Sequence, residues 1–388
     1  MVGVFSRDWR AILAAPAWLW AGKARFKQEI ASRWHFDPAL LPARSDFLAW
    51  LADGRRQGRR LILATAADRA IAEKVAAHFG LFDEVVASHD GHNLRGQAKA
   101  EALVERFGKG GFAYAGNDWT DLAVWQHAGA AIVGGGGETL QRKAAALAPV
   151  IATFPGSSPH WAALWRGLRP YQWVKNLLCF VPILASGAID DLRGWVFAAL
   201  VATAFSLVAS AIYLVNDISD LAADRAHPRK RRRPLASGAL SISLALAAAA
   251  VLSMLGLAIG HVAGAVELLL LYAAASLAYS TWLKERPLVD VFLLAVLYCL
   301  RIAAGGEASD HPLSLWLLGF ASFLFLSLAL IKRTSELLDV QGRGLTAAPK
   351  RGYLTRDLPV LVCFGVASSF ASAIILSLYL HSEAAMAI

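Results

Sequence analysis

The sequence predicts two parts of different fold class, an N-terminal α/β domain with a parallel sheet and an all-α bundle of membrane-spanning helices after it. The chain has 388 residues, of which 57% are hydrophobic, and its mean hydropathy is +0.47. Only 17% of the residues are charged, whereas a soluble domain carries roughly 25%. The deficit begins near residue 170, where long apolar runs alternate with short polar loops, and the length accommodates two domains.

Strands and helices alternate in the first part of the chain. Residues 59–65 form a mainly apolar run that ends in the hydroxyl of Thr65, and a helical pattern separates this run from 81–88. Lys99 opens another helix, and 111–121 has the pattern of a strand that leads into an acidic loop. This alternation favours a parallel sheet. The predicted boundaries are 1–146 for the soluble domain, 147–166 for a linker rich in Pro, Gly and Ser, and 167–388 for the membrane domain.

Seven segments approach the length of about 20 mainly apolar residues that a membrane-spanning helix needs. Basic residues concentrate in the loops after the second, fourth and sixth segments, whereas the opposite loops hold Arg193 alone. The positive-inside rule therefore predicts a multi-pass protein of the inner membrane, with these loops and the N-terminal domain in the cytoplasm. The same placement explains the net charge of +9 without nucleic-acid binding. The predicted segments are 172–189, 195–215, 241–260, 262–280, 288–304, 314–331 and 359–380.

An acidic motif follows the second apolar segment. Asn216 opens it, and Asp217, Asp220 and Asp224 follow at spacings of three and four, which place them on one helical face. Carboxylates this close repel one another, and a divalent cation relieves the repulsion. Hard oxygen ligands suit Mg²⁺, which commonly bridges carboxylates to phosphate groups. The alternative is a solvated helix end.

Basic residues continue the motif. Arg229, Lys230 and Arg233 belong to a run of five consecutive cations. Such a run could anchor the loop at anionic lipid head groups. Beside a metal–phosphate site, the same side chains would neutralise a leaving pyrophosphate.

Further polar residues flank the later apolar segments. Tyr279 and Lys284 precede Asp290, and Arg301 follows Asp290 by eleven residues, about three helical turns, so these two share a face. An ionisable residue inside a span predicts a functional site, although an internal salt bridge is the alternative. Two more polar groups open the first segment and close the sixth, where they could instead be interfacial anchors. They comprise Arg169, Lys175, Asn176, Lys332 and Arg333.

Together these motifs resemble the UbiA superfamily of intramembrane prenyltransferases, over about residues 166–380. The resemblance implies a helical bundle with a membrane-embedded cavity and two acidic boxes at its cytoplasmic mouth. It implies a catalytic Mg²⁺ at Asp217, Asp220 and Asp224, with Asp290 on the facing side. The substrates would be a polyprenyl lipid and a diphosphate-bearing donor. The substrate-binding residues would be Arg169, Lys175, Asn176, Asn216, Arg229, Lys230, Arg233, Tyr279, Lys284, Arg301, Lys332 and Arg333.

Within that family the sequence is similar to the decaprenyl-phosphate phosphoribosyltransferase branch. Residues 169–176, His227-Pro228 and Lys332-Arg333 with Glu336 carry the similarity. It implies transfer of phosphoribose from phosphoribosyl pyrophosphate to a polyprenyl phosphate. The alternatives are an aromatic prenyltransferase with a polyprenyl diphosphate donor, a transporter, and a truncated inactive chain, since the family usually has nine spans. The oligomeric state is left open.

The N-terminal domain resembles the Rossmann-like haloacid dehalogenase-like fold over about residues 40–146. Thr65 matches the hydroxyl of the second family motif, and Lys99 matches the lysine of the third. Asn117 and Asp121 fall at the fourth motif, with Asn117 in place of the first acid. No Asp-x-Asp box precedes Thr65, so we expect the nucleophile strand to be missing and phosphatase activity to be absent.

Overall fold

The computed structural model describes residues 37–89, 93–154, 156, 160–348 and 351–380, together with Ala17, Trp20 and Glu29. Two compact units form. The first contains the described residues up to Leu164 together with Asp217–Ser241. The second contains Trp165–Asn216 and the described residues from Ile242 onward.

The first unit has the predicted α/β architecture with parallel strands. Strand β1 (Ile62–Asp68) pairs with β2 (Glu84–Ser88), and β3 (Ala113–Gly116), β4 (Ala130–Val133) and β5 (Val150–Thr153) form a separate three-stranded sheet in that order. Small and β-branched residues dominate these strands, which suits a sheet covered by helices. The intervening helices are α1 (Ser45–Arg56), α2 (Arg69–Phe79), α3 (Gln97–Phe107), α4 (Leu122–Trp125) and α5 (Gly137–Leu147).

The core of this unit lies between α3, α5 and the three-stranded sheet. Trp125 and Leu140 are fully buried there, and the indole N–H of Trp125 donates to the backbone carbonyl of Tyr114 at 2.9 Å. A cavity of about 580 Å³ is bordered by residues of both sheets, including Ala64 of β1 and Ala115 of β3. The predicted lack of a nucleophile strand concerns a region that includes residues outside the described part of the chain.

The predicted linker needs correction. Strand β5 lies inside 147–166 and pairs with β4, so the sheet extends past residue 146. The helix α6 (His160–Leu168) then begins within the same segment. The prolines and glycine that suggested a linker lie around β5, where Pro149 precedes the strand and Gly156 follows it.

The second unit is a bundle of apolar helices. Among the described residues, five helices are long and apolar enough to cross a membrane, whereas α11 has 16 residues. A helix satisfies its own backbone groups, as a segment in lipid must. The helices are α7 (Val181–Ala185), α8 (Leu192–Ser219), α10 (Ile242–Val262), α11 (Val266–Thr281), α12 (Val289–Ser309), α13 (Leu315–Gly342) and α14 (Leu358–Leu380), and the short α9 (Leu221–Ala226) belongs to the first unit.

The prediction of a spanning helix over 172–189 is wrong. This segment is a 3-10 helix, Pro170–Phe180, followed by the single-turn helix α7. Pro182 lies inside the predicted span, where it would remove a hydrogen bond from a continuous α-helix, whereas it is tolerated in the first turn of α7. Asn176 also interrupts the apolar pattern, and its polar side chain is buried because it is hydrogen-bonded to polar partners such as Ser206.

Close packing of α12 against the 3-10 helix requires glycine at one position. A Cβ placed on Gly305 would collide with the backbone carbonyl of Cys179. Gly319 of α13 is different, because a Cβ there would lie 3.6 Å from Ile375, an ordinary contact.

We expect Gly305→Ala to lower the free energy of unfolding by about 1–3 kcal/mol, because the methyl group would meet backbone that cannot rotate away. Denaturant unfolding of the purified protein in detergent would measure this loss. Gly319→Ala is the matched control and should be neutral or slightly stabilising, since alanine favours a helix over glycine. Equal effects of the two substitutions would contradict the packing described here.

Candidate functional site

Two buried carboxylates in the first unit share one arginine. Asp217 and Asp224 are 3% and 2% exposed. The guanidinium nitrogen Nη1 of Arg233 donates to Asp217 Oδ1 at 3.1 Å and to Asp224 Oδ2 at 2.7 Å. Two like charges are therefore held close together because a single cation lies against both.

The helix ends and turns around α9 bring these residues together. Helix α8 ends at Ser219, and Asp220 has non-helical backbone angles before α9 begins. The turn after α9 is fixed by His227, whose Nδ1 accepts hydrogen bonds from the backbone N–H groups of Arg229 and Lys230 at 3.2 and 3.3 Å. Arg233 then adopts extended backbone before Pro234, as residues preceding proline prefer, and its side chain reaches the carboxylates.

The basic run therefore has two environments. Arg229 and Lys230 are exposed, whereas Arg233 is turned inward to the carboxylates. From the sequence, the same role, binding of a leaving pyrophosphate, is predicted for all three cations. The exposed members remain available to an anion, and the inward one already has partners.

The Mg²⁺ site at Asp217, Asp220 and Asp224 stays a prediction. Nowhere in the described part of the chain do three or more His, Cys, Asp or Glu side chains converge as a metal site. The break after Ser219 interrupts the helical face on which Asp220 was expected to join the other two. The donor set still fits Mg²⁺, because this ion is commonly held by one or two carboxylates together with substrate phosphates. Arg233 is the resident cation between Asp217 and Asp224.

Another buried carboxylate lies in the second unit. Asp290, the second residue of α12, is fully buried, and its Oδ2 lies 2.5 Å from Nη2 of Arg333 on α13. The hydroxyl of Tyr353 donates to the other carboxylate oxygen and accepts a hydrogen bond from the backbone N–H of Leu288 at 2.8 Å. Glu336 contacts the remaining terminal nitrogen of Arg333. Burial is the main cause that raises the pKa of Tyr353, so this phenol stays protonated and donates.

The role of Tyr353 was not predicted from the sequence. The nearest signal is Gly352, whose φ of 67° is left-handed and whose Cβ position would collide with the carbonyl of Glu285. Only glycine combines this conformation with so close an approach. The adjacent Arg351 donates to the hydroxyl of Tyr279 at 2.9 Å, so a predicted substrate-binding tyrosine has a partner that was also missed.

Arg301 does not pair with Asp290, although the two were predicted to share a face. It is 5% exposed, and its Nε donates to the side-chain carbonyl of Asn176 at 2.8 Å. Its Nη2 donates to the Tyr272 hydroxyl at 3.1 Å, and Asn176 donates in turn to Ser206 at 2.8 Å. The two predicted residues Arg301 and Asn176 thus form one buried polar network, while Asp290 belongs to another.

The remaining predicted residues of this unit occupy varied positions. Asn216 donates to the hydroxyl of Ser280 at 2.8 Å. Arg169 lies over the ring of Tyr213, with 4.9 Å from its Cζ to the ring centroid. The others lie on separate elements: Lys175 in the 3-10 helix Pro170–Phe180, Lys284 in the 3-10 helix Leu283–Glu285, and Lys332 exposed on α13.

The first unit also holds the residues predicted as degenerate phosphatase motifs. Lys99 Nζ lies 2.8 Å from the hydroxyl of Tyr114 and 3.4 Å from Asp121 Oδ1, and Tyr114 donates to the same oxygen at 2.9 Å. The backbone N–H of Asn117 donates to Asp121 Oδ2 at 3.0 Å. The structure therefore brings Lys99, Asn117 and Asp121 together. Thr65 lies on β1 in the other sheet, where its hydroxyl accepts from a backbone N–H two residues on.

Two family models match the chain. Residues 177–385 match the UbiA prenyltransferase family, and residues 6–125 match the haloacid dehalogenase-like hydrolases. The first match covers more than half of the chain and contains α8 to α14 with both buried carboxylate clusters.

Known relatives cover different shares of the chain. Protein y4nM of Sinorhizobium fredii is 35% identical over 95% of this chain and 72% of its own length. The decaprenyl-phosphate phosphoribosyltransferase of Corynebacterium glutamicum is 39% identical over 45% of this chain, and the match spans 54% of that relative. A UbiA homolog from Archaeoglobus fulgidus, solved bound to DMAPP and Mg²⁺, aligns with a TM-score of 0.47 at 20% identity, over 57% of this chain and 78% of that one.

We expect Asp290→Asn to lower the free energy of unfolding by about 3 kcal/mol, because removing one partner leaves the buried guanidinium of Arg333 short of a counter-charge. Asp339→Asn is the matched control, since Asp339 forms an ion pair with Arg343 in which both side chains are 65% exposed. Such exposed pairs contribute little. Denaturant titration of the two variants measures the difference, and similar losses in both would contradict a structural role for the buried pair.

Proposed function

The chain belongs to the UbiA prenyltransferase family, and we propose that it transfers phosphoribose from phosphoribosyl pyrophosphate to a polyprenyl phosphate at the cytoplasmic face of the inner membrane. The observation that supports this most is the pair of buried carboxylates held by Arg233 next to exposed cations. The choice of donor and acceptor follows the Corynebacterium relative, of which the chain matches about half the length, 54%.

The reaction breaks one carbon–oxygen bond and forms another. An oxygen of the lipid phosphate bonds to C1 of the ribose while the bond from C1 to the pyrophosphate oxygen breaks. The electron pair of that bond leaves with the pyrophosphate, and positive charge develops at C1. Groups that stabilise the departing diphosphate therefore lower the barrier.

The cations of the basic run supply that stabilisation. Arg229 and Lys230 are exposed beside the carboxylates' partner Arg233, and guanidinium groups bind phosphate oxygens in bidentate fashion. Mg²⁺, when bound, would be held by Asp217 and Asp224 and would offset charge on the diphosphate. Arg233 neutralises the two carboxylates in the free protein, and in the complex it would neutralise the diphosphate.

An aromatic prenyltransferase is the second candidate. Its donor would be a polyprenyl diphosphate, which has the same leaving group and needs the same cations. The family match supports this reaction class as well. The identity of the donor therefore separates the two candidates.

We also propose that the haloacid dehalogenase-like unit has no phosphatase activity. Asn117 stands at the position of an acid, and it cannot bind a cation as a carboxylate does. The carboxylate of Asp121 is already bonded to Lys99 and Tyr114.

The test is a transfer assay in membranes that contain the chain, with phosphoribosyl pyrophosphate labelled in its ribose and with polyprenyl phosphate. We expect label in the lipid fraction with Mg²⁺ and none with EDTA. Asp217→Asn and Asp224→Asn should each lower the rate roughly 100-fold or more, because charge stabilisation of the leaving group is lost. Asp339→Asn, an exposed carboxylate, should leave the rate unchanged.

Two outcomes would contradict the proposal. Full activity of the Asp217 and Asp224 variants would show that these carboxylates do not support catalysis. Label transferred from a polyprenyl diphosphate to an aromatic acceptor, with no phosphoribose transfer, would replace the proposal by the second candidate.

A further inference from the structure

The bundle buries an arginine without an acid. Arg301 is 5% exposed, and its hydrogen-bond partners are the side chain of Asn176, the hydroxyl of Tyr272 and the backbone carbonyl of Leu297. All three are neutral. Within the described residues, no carboxylate lies at ion-pair distance from Arg301. A buried guanidinium is costly without a counter-charge, even when its N–H groups are hydrogen-bonded.

A second buried arginine among the described residues of the bundle shows the contrast. Arg333 is 2% exposed, and it contacts the carboxylates of both Asp290 and Glu336. The same helical bundle thus supplies two acids to one arginine and none of its described acids to the other. The charge of Arg301 is satisfied if an anion from outside the chain binds beside it.

A second cation, Lys175, lies near the aromatic ring of Tyr298, which Arg301 also borders. The ammonium of Lys175 lies 5.8 Å from the ring centroid of Tyr298, and the Cζ of Arg301 lies 5.6 Å from it. Burial, with repulsion from Lys332 and Arg301, lowers the pKa of Lys175, which lies in the 3-10 helix outside the long apolar helices. Three cations near one another repel, and a bound anion would relieve that repulsion.

The charges indicate which anion fits. Arg301 and Lys175 together carry two positive charges, and a phosphate monoester carries about −1.5 to −2 at pH 7. A diphosphate bound with Mg²⁺ brings its own cation, which a wholly cationic site would repel. The buried aromatic rings of Phe205 and Tyr272 around Arg301 exclude water and strengthen the attraction.

We propose that Arg301 and Lys175 form a binding subsite for the phosphate monoester head group of the acceptor lipid. The assignment to an acceptor rests on the proposed function. Asn176 holds the guanidinium of Arg301 in place, and it is itself fixed by Ser206. The subsite is distinct from the cluster of Asp290, which lies about three turns away on α12.

The test measures binding of geranylgeranyl phosphate to the full chain in nanodiscs, with EDTA and without donor. We expect Arg301→Gln and Lys175→Gln each to weaken binding roughly 10- to 100-fold, as the loss of a charge-assisted hydrogen bond does. Arg301→Lys should retain part of the affinity because it keeps the charge. Arg193→Gln is the matched control, since it removes an exposed guanidinium that stacks on Phe197 at 5.5 Å, and it should bind as the wild type does.

Two further ligands identify what the subsite recognises. Geranylgeraniol, which has the same tail without phosphate, should bind equally to the wild type and to Arg301→Gln. Inorganic phosphate that displaced the lipid at equal concentration would overturn the assignment to a lipid head group. Unchanged binding of geranylgeranyl phosphate in both glutamine variants would overturn the subsite itself. Thermal unfolding identifies a variant that has failed to fold. If Arg301→Gln does not fold, the binding measured for Lys175→Gln decides.

The subsite and the proposed function fail in different ways. Arg301-dependent lipid binding without phosphoribose transfer would support the subsite and contradict the function. Phosphoribose transfer with the same apparent affinity for the lipid in both glutamine variants would support the function and overturn the subsite.

Discussion

Within the described residues, most buried charges are balanced by an opposite charge from another position in the sequence, and Arg301 is the exception. Arg233 balances Asp217 and Asp224, and Arg333 balances Asp290, where Tyr353 adds a hydrogen bond. An unpaired charge in a low-dielectric interior costs more free energy than most side-chain contacts supply. These pairings therefore decide how the helix ends and loops around them are arranged.

The same constraint separates structural charges from functional ones. Asp290 and Arg333 satisfy each other, so their main contribution is to join α12, α13 and the loop that carries Tyr353. Asp217 and Asp224 depend on one guanidinium that lies beside further, exposed cations. In the proposed function a substrate phosphate exchanges with that guanidinium, whereas the described partners of Asp290 are Arg333 and the hydroxyl of Tyr353. The cluster of Asp217, Asp224 and Arg233 is thus suited to binding a ligand, and the cluster of Asp290 and Arg333 is suited to holding the helices together.

Sequence patterns predicted what depends on local periodicity. The parallel strands, the long apolar helices and the acidic box with its basic continuation follow from residue spacing. The first span was predicted from its length and hydropathy, and it failed because Pro182 interrupts a continuous helix within it. The hydrogen-bond partners of the buried charges could not be predicted from local spacing. Tyr353 is 63 residues from Asp290 in the sequence, and Asn176 is 125 residues from Arg301, so only the packed fold brings them into contact.

In the proposed function, Asp217 and Asp224 become a metal–diphosphate site when the donor binds. Electron paramagnetic resonance with Mn²⁺ in place of Mg²⁺ would detect this site, in the wild type and in Asp224→Asn. We expect bound Mn²⁺ in the wild type when phosphoribosyl pyrophosphate is present, in excess of what the donor binds alone, and loss of that signal in the variant. Equal Mn²⁺ binding by both proteins would contradict it.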